Sequence, residues 1–143
     1  MKDLLPGGVD CLVEAFRPGV MDTIGLGARE CMEVNPSLVY ASLSGFGAAG
    51  PYASTKAFDV VIQAMGGVRS LTGDPDGLPQ KEGVPVADLF AGPYGCIGIL
   101  AAVRQRDATG PGQQSELGLR GTQDAWVANQ GRTGRATAGN QAG

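Results

Sequence analysis

Asp88 stands where Gly83-Val84-Pro85-Val86-Ala87 gives way to the most apolar stretch of the chain, Leu89-Phe90-Ala91-Gly92 and on to Val103. A carboxylate at the mouth of such a stretch can serve in two ways. It can attack an activated carbonyl as a nucleophile, or it can cap the following helix by accepting its free N–H groups and complementing its dipole. Spacing alone favours the cap. The chain has no histidine, which excludes Ser–His–Asp and Cys–His arrangements, the common His-containing zinc sites and the usual general base near neutral pH. Any chemistry must run on carboxylates, Lys, Tyr, hydroxyls or backbone groups.

Two other stretches invite a chemical reading and do not sustain it. Gly45-Phe46-Gly47-Ala48-Ala49-Gly50 matches the G-x-G-x-x-G of dinucleotide sites, but Pro51 follows, no helix opens within the motif, and no strand ending in an acid lies about 20 residues on. It reads as a glycine-rich connecting loop. Asp74 and Asp76 sit in Thr72-Gly73-Asp74-Pro75-Asp76-Gly77, with the wrong ligand spacing for calcium and a proline in the middle. They read as a solvated turn. The three cysteines lack paired or metal-ligand spacing, so no metal is expected and the chain reads as a reduced, cytoplasmic protein.

The elements that must position Asp88 follow from the apolar pattern. Cys11 to Phe16 is a short buried strand before the turn Arg17-Pro18-Gly19. Val20 to Val34 reads as a helix broken by Asn35-Pro36-Ser37, and Leu38 to Leu43 as the next strand, giving a β-α-β unit with a parallel sheet. Phe58 to Met65 reads as a helix ended by Gly66-Gly67. The apolar run after Asp88 is a buried helix of about 15 residues, too short and glycine-rich to cross a bilayer, with Pro93 either in its first turn or at a kink. Ser115 to Leu119 alternates as a strand, and Gln123 to Asn129 forms one more short helix. Residues 131–143 carry little that can bury and read as a disordered tail.

At 143 residues and 43% hydrophobic content the chain has the size of one domain with a real core. A net charge of −3 without a basic cluster points away from nucleic acid and anionic membranes and towards a small metabolite.

Several stretches together resemble the family III CoA-transferases, the group that includes formyl-CoA and carnitine CoA-transferases and the related α-methylacyl-CoA racemases. They are Val13 to Gly19, Asn35 to Tyr40, Ser44 to Gly47 with Gly50-Pro51-Tyr52, Ala57-Phe58-Asp59, Ser70 to Gly73, Val84 to Asp88, and Thr109 to Gln113. Order and spacing both agree. The resemblance implies an α/β fold, here an incomplete Rossmann-like domain over residues 1–130, with a short parallel sheet and flanking helices. It implies acyl-CoA and a carboxylic acid as substrates, with Asp88 as the nucleophile that forms an aspartyl-CoA intermediate. It also implies CoA contacts from Lys56, Phe16 and Arg17.

In the racemases a histidine precedes the acid of the Phe58-Asp59 pair; Phe58 in that position disfavours racemisation. The family usually has Asn in place of Ala15, a basic residue in place of Pro111 and an acid in place of Gly121. Its members are more than twice as long, so this chain resembles a central part of their large domain. Unpaired strands at the sheet edges imply a homo-oligomer. The alternative reading is an inactive folded remnant that self-associates and binds part of CoA.

Overall fold

The computed structural model describes residues 5, 8–74 and 76–128, so the expected tail at 131–143 lies outside the described residues. Three strands form a wholly parallel sheet in the order β1 (Cys11–Glu14), β2 (Val39–Ser44), β3 (Gln114–Gly118). In register, Cys11 pairs with Val39 and Tyr40 with Gln114, which puts β2 in the middle and leaves β1 and β3 as edges. The expected α/β architecture, a short parallel sheet flanked by helices, is therefore present.

Alternation along β2 sorts the layers. Tyr40 faces the first layer, made of α1 (Val20–Thr23) and α2 (Ala28–Val34). There Leu5, Leu12, Met21, Leu26, Cys31, Leu38 and Tyr40 close into one buried cluster. The single helix expected from Val20 to Val34 is in fact two, because Gly25 adopts a φ of +68° that ends α1. The break has a use. It frees the Leu26 carbonyl to accept the Tyr40 hydroxyl at 3.0 Å, and burial pushes that phenol up to about 12. Asn35 then stops α2: its side chain accepts the Ser37 N–H at 3.1 Å and donates to the Val9 carbonyl at 3.0 Å, fixing the turn into β2.

Leu43 and Leu117 face the other layer, where Gly95 of α5 (Val86–Thr109) comes down between them. α5 packs on β2 and β3 and is flanked by α3 (Asp59–Met65) and α6 (Leu119–Trp126), while a short α4 (Val68–Leu71) that the sequence did not suggest packs on α3. Phe90 of α5 stacks on Trp126 of α6 at 4.6 Å between ring centroids. The helix expected from Gln123 begins earlier, at Leu119, and Asn129 lies outside the described residues.

Three expectations for α5 need correction. It has 24 residues, because Arg104 to Thr109 continue the apolar run as helix, and by length and mean hydropathy (1.7) it is long and apolar enough to cross a membrane. Two of its glycines nevertheless face protein: a Cβ at Gly95 would meet Leu43 and Leu117, and one at Gly98 would meet Ser115. One face of α5 thus packs on the sheet of its own chain, but only 22% of its apolar span is buried, so the expected buried helix is corrected to one with an open outer face. Pro93 lies inside α5, seven residues beyond its first, so the helix does not start late. Proline at this position cannot donate to the carbonyl four residues back, that of Leu89.

Candidate active site

All three strands end on the same side, and in parallel α/β sheets ligands bind in the crevice beyond the carboxyl ends of the strands. A cleft of about 520 Å³ lies there. Phe16 and Arg17 reach it from the turn after β1, Ser44 and Gly45 from the end of β2, and Leu119 from just past β3. The loop before α3 contributes Lys56 and Phe58, and the first turn of α5 contributes Asp88. The four residues singled out from the sequence, Phe16, Arg17, Lys56 and Asp88, thus line one cleft.

Local chemistry explains why they meet. Glu14 accepts the Phe16 N–H at 2.8 Å, and Gly19 at φ +86° turns the chain into α1, which leaves Phe16 and Arg17 exposed at the end of β1. Gly45 to Gly50 forms a loop of turns without a helix, as expected. Gly47 donates to the Ser44 hydroxyl at 3.0 Å and Phe46 packs on Tyr52 with centroids 5.4 Å apart. At Gly45 there is no room for a side chain, because its Cβ would meet that of Ala57. This close approach draws the Lys56–Phe58 segment against the end of β2.

Asp88 is not the cap of α5. The helix begins at Val86, so Asp88 is its third residue, and the capping position is held by Pro85, which has no side-chain oxygen to offer. The capping reading of Asp88 is therefore corrected, and the reason lies in α3. Asp59 Oδ1 accepts the Ala87 N–H at 2.8 Å, so a carboxylate 28 residues earlier caps the helix from outside. Asp59 Oδ2 accepts from Gln63 Nε2 at 2.7 Å; the same amide donates to the Val84 carbonyl at 3.3 Å and accepts the Glu82 N–H at 2.9 Å. Gln63 is fully buried. Sequence reasoning missed this clamp; its only local trace is an Asp and a Gln four residues apart on one helix.

With capping done by Asp59, the Asp88 side chain is exposed and lines the cleft. Desolvation against the wall, and second the Asp59 carboxylate, hold its carboxyl above the usual carboxylate value. A first-turn position would by dipole alone push it the other way, so desolvation and Asp59 win. A carboxylate made more basic is a better nucleophile. On the opposite face of the sheet, a smaller cleft of about 210 Å³ shares Phe16, Arg17, Pro18 and Ser44 with this one and has its own first-turn acid, Asp22 of α1, but lacks Lys56. Among the described residues, no group of three His, Cys, Asp or Glu side chains is placed to hold a metal ion.

The family model for CoA-transferase family III matches residues 1–143. The chain belongs to that family. It is 40% identical over 121 residues to a succinate–glutarate CoA-transferase of Agrobacterium fabrum, covering 85% of this chain and 30% of the relative. It is 46% identical over 110 residues to a formyl-CoA:oxalate CoA-transferase of Streptomyces coelicolor, covering 77% and 27%. Among solved structures, a CAIB/BAIF family protein from Brucella suis superposes with a TM-score of 0.90 at 39% identity, over 96% of this chain and 36% of that one. The chain therefore spans about 30% of the length of the curated relatives it matches.

Proposed function

We propose that this chain carries the nucleophile-bearing part of a family III CoA-transferase, which moves CoA from an acyl-CoA to a carboxylic acid. The observation that carries the reading is the convergence of Asp88, Lys56, Phe16 and Arg17 on one cleft at the carboxyl ends of the strands. Lys56 and Arg17 supply cationic groups for phosphates, Phe16 an apolar surface, and Asp88 the reacting carboxylate.

In this reading one Asp88 oxygen attacks the thioester carbonyl, the carbon–sulfur bond breaks, and CoA leaves as thiolate from a mixed anhydride. The thiolate attacks the aspartyl carbonyl, expels the original acyl group as its carboxylate, and leaves an aspartyl-CoA thioester. The acceptor carboxylate attacks that thioester, and the thiolate then takes the acceptor acyl group, regenerating Asp88. Covalent catalysis splits one difficult exchange into reversible steps, and no histidine is required.

A specific observation favours a second reading, in which the chain binds part of CoA without turnover. Phe58, which lines the cleft, and Leu89, the residue after Asp88, are 67% and 58% exposed, and thioester intermediates need water kept out. Intact-protein mass before and after incubation with a panel of acyl-CoAs separates the two. A covalent increment supports transfer chemistry; binding of CoA with an unchanged mass supports the second reading.

Self-association belongs to the same proposal. Among the described residues both outer strands have unpaired edges, and Leu89, Ile97 and Leu100 leave an apolar stripe along the outside of α5. Size exclusion with light scattering at micromolar concentration is expected to give a dimer or larger species; a monomer would contradict it.

A further inference from the structure

We propose that Asp59 is the positioning residue for Asp88, holding it from α3 by the external cap on Ala87 and, through buried Gln63, by the tie on Val84 and Glu82. This deepens the reading of Asp88 as nucleophile and rests on it. The geometry is unusual for two acids. Asp59 is spent wholly on holding, with each carboxylate oxygen accepting one hydrogen bond, while Asp88, one residue beyond the capped N–H, is left facing the cleft.

Beyond the burial of Val86 and Ala87 and the stacking of Phe90 on Trp126, the segment that carries Asp88 has no other hydrogen bond to a distant part of the fold among the described residues. Its other short-range bonds are local, Val86 N–H to the Val84 carbonyl at 2.9 Å and Leu89 N–H to the Pro85 carbonyl at 2.9 Å, and Gly83, Val84 and Pro85 are exposed. Gln63 makes the connection to the fold rigid, because a fully buried amide cannot trade these partners for water. Asp59 also supplies a second carboxylate near Asp88, the like-charge pairing that makes a nucleophilic carboxylate more basic. The other charged side chains lining the cleft are the cations Lys56 and Arg17; Glu82, on the tied segment, accepts from the Thr72 hydroxyl at 2.8 Å.

Two variants separate holding from charge. Asp59→Asn keeps an oxygen for the Ala87 N–H but removes the charge and the acceptor for Gln63 Nε2, whereas Gln63→Met keeps buried volume and the Asp59 charge and removes all three Gln63 bonds. In the full chain, carbon-13 NMR of the Asp88 carboxyl is expected to show its titration midpoint moving down, towards the ordinary value of about 3.9, in Asp59→Asn and staying near wild type in Gln63→Met. The rate of adduct formation from an acyl-CoA is expected to fall by about ten- to a hundredfold in Gln63→Met, the scale of a displaced reacting group. Hydrogen exchange in wild type is expected to show the Ala87 amide protected, a readout that does not depend on any variant folding.

An Asp88 midpoint unchanged in Asp59→Asn, or an unprotected Ala87 amide, overturns the proposal. So does an adduct rate in Gln63→Met equal to that of a reactive wild type. A wild type that forms no adduct sinks the nucleophile reading instead, and the midpoint and the Ala87 amide still decide the role of Asp59.

Discussion

The two layers on either side of the sheet are built differently. The layer of α1 and α2 is closed by its own apolar side chains, from Leu12 and Met21 to Leu38, and its one buried phenol, that of Tyr40, is paired with a backbone carbonyl of the same layer. The layer of α3, α5 and α6 contains a buried polar clamp at Gln63, a second buried amide at Gln123, and an outer face that leaves Leu89, Ile97 and Leu100 exposed. The first layer holds the sheet together. The second offers it the larger cleft, and of the polar groups buried there Gln63 ties the segment that leads into the first turn of α5. Apolar burial gives stability without direction; hydrogen bonds from a buried amide give little net stability but a fixed orientation.

The largest expected effect tests the closed layer. Leu38→Ala, at a fully buried position, should cost about 2–5 kcal/mol in urea unfolding, whereas Leu89→Ala on the open layer should stay within about 0.5 kcal/mol. Equal losses would erase the distinction between the layers.

A smaller effect tests the seam between α3 and α6. Gly66 lies against the amide of Gln123, which is 1% exposed and whose Nε2 and Oε1 have no hydrogen-bond partner among the described residues. A Cβ at Gly66 would meet that amide, so Gly66→Ala should lower stability by about 1–3 kcal/mol. Gly92, inside α5 and with nothing near its would-be Cβ, should gain about 0.5–1 kcal/mol on the same change. Thermal unfolding of the pair reads the contrast directly, and a Gly66→Ala variant as stable as Gly92→Ala would show that the seam is loose.

The smallest effect concerns Asp88 and is decided by sign. Its carboxyl is held above the usual value in the folded chain, so ionising it costs more folded than unfolded. The penalty is absent below the unfolded value and complete above the folded one. Asp88→Asn should therefore be slightly more stable than wild type at neutral pH, with the gain vanishing as the pH falls through the carboxylate range. A capping carboxylate would behave in the opposite way, with wild type gaining stability as it ionises. Unfolding midpoints measured along a pH series distinguish the two.

The first layer was largely legible from the sequence because its signals are local. Gly19, Asn35 and Pro36 punctuate apolar runs, and β1 and β2 fall where those runs predict. Its one surprise, the break at Gly25, exposes a carbonyl whose partner, the Tyr40 hydroxyl, lies 14 residues on from Leu26 and leaves no local signal. Around the cleft, Asp88, Lys56, Phe16 and Arg17 were found through resemblance, since nothing in their spacing says that they share one cavity. Asp88 was read as a cap because an acid before an apolar run usually is one, and only the fold reveals that Asp59 holds that post. No local rule links residues 28 positions apart. The length of α5 was underestimated for a different reason: its last turns are polar because they reach beyond the sheet, where Arg106 pairs with Asp10 at 2.7 Å.

The central claim is that Asp88 is a nucleophile held free for its task. Incubation of the chain with an acyl-CoA, followed by hydroxylamine and peptide mapping, tests it most directly, because both a mixed anhydride and an aspartyl thioester are cleaved by that reagent and leave a hydroxamate on the reacting carboxyl. The hydroxamate is expected on Asp88, absent in Asp88→Asn and absent from Asp59. A chain that binds CoA and yields no hydroxamate at Asp88, or yields it equally on other exposed acids, would contradict it.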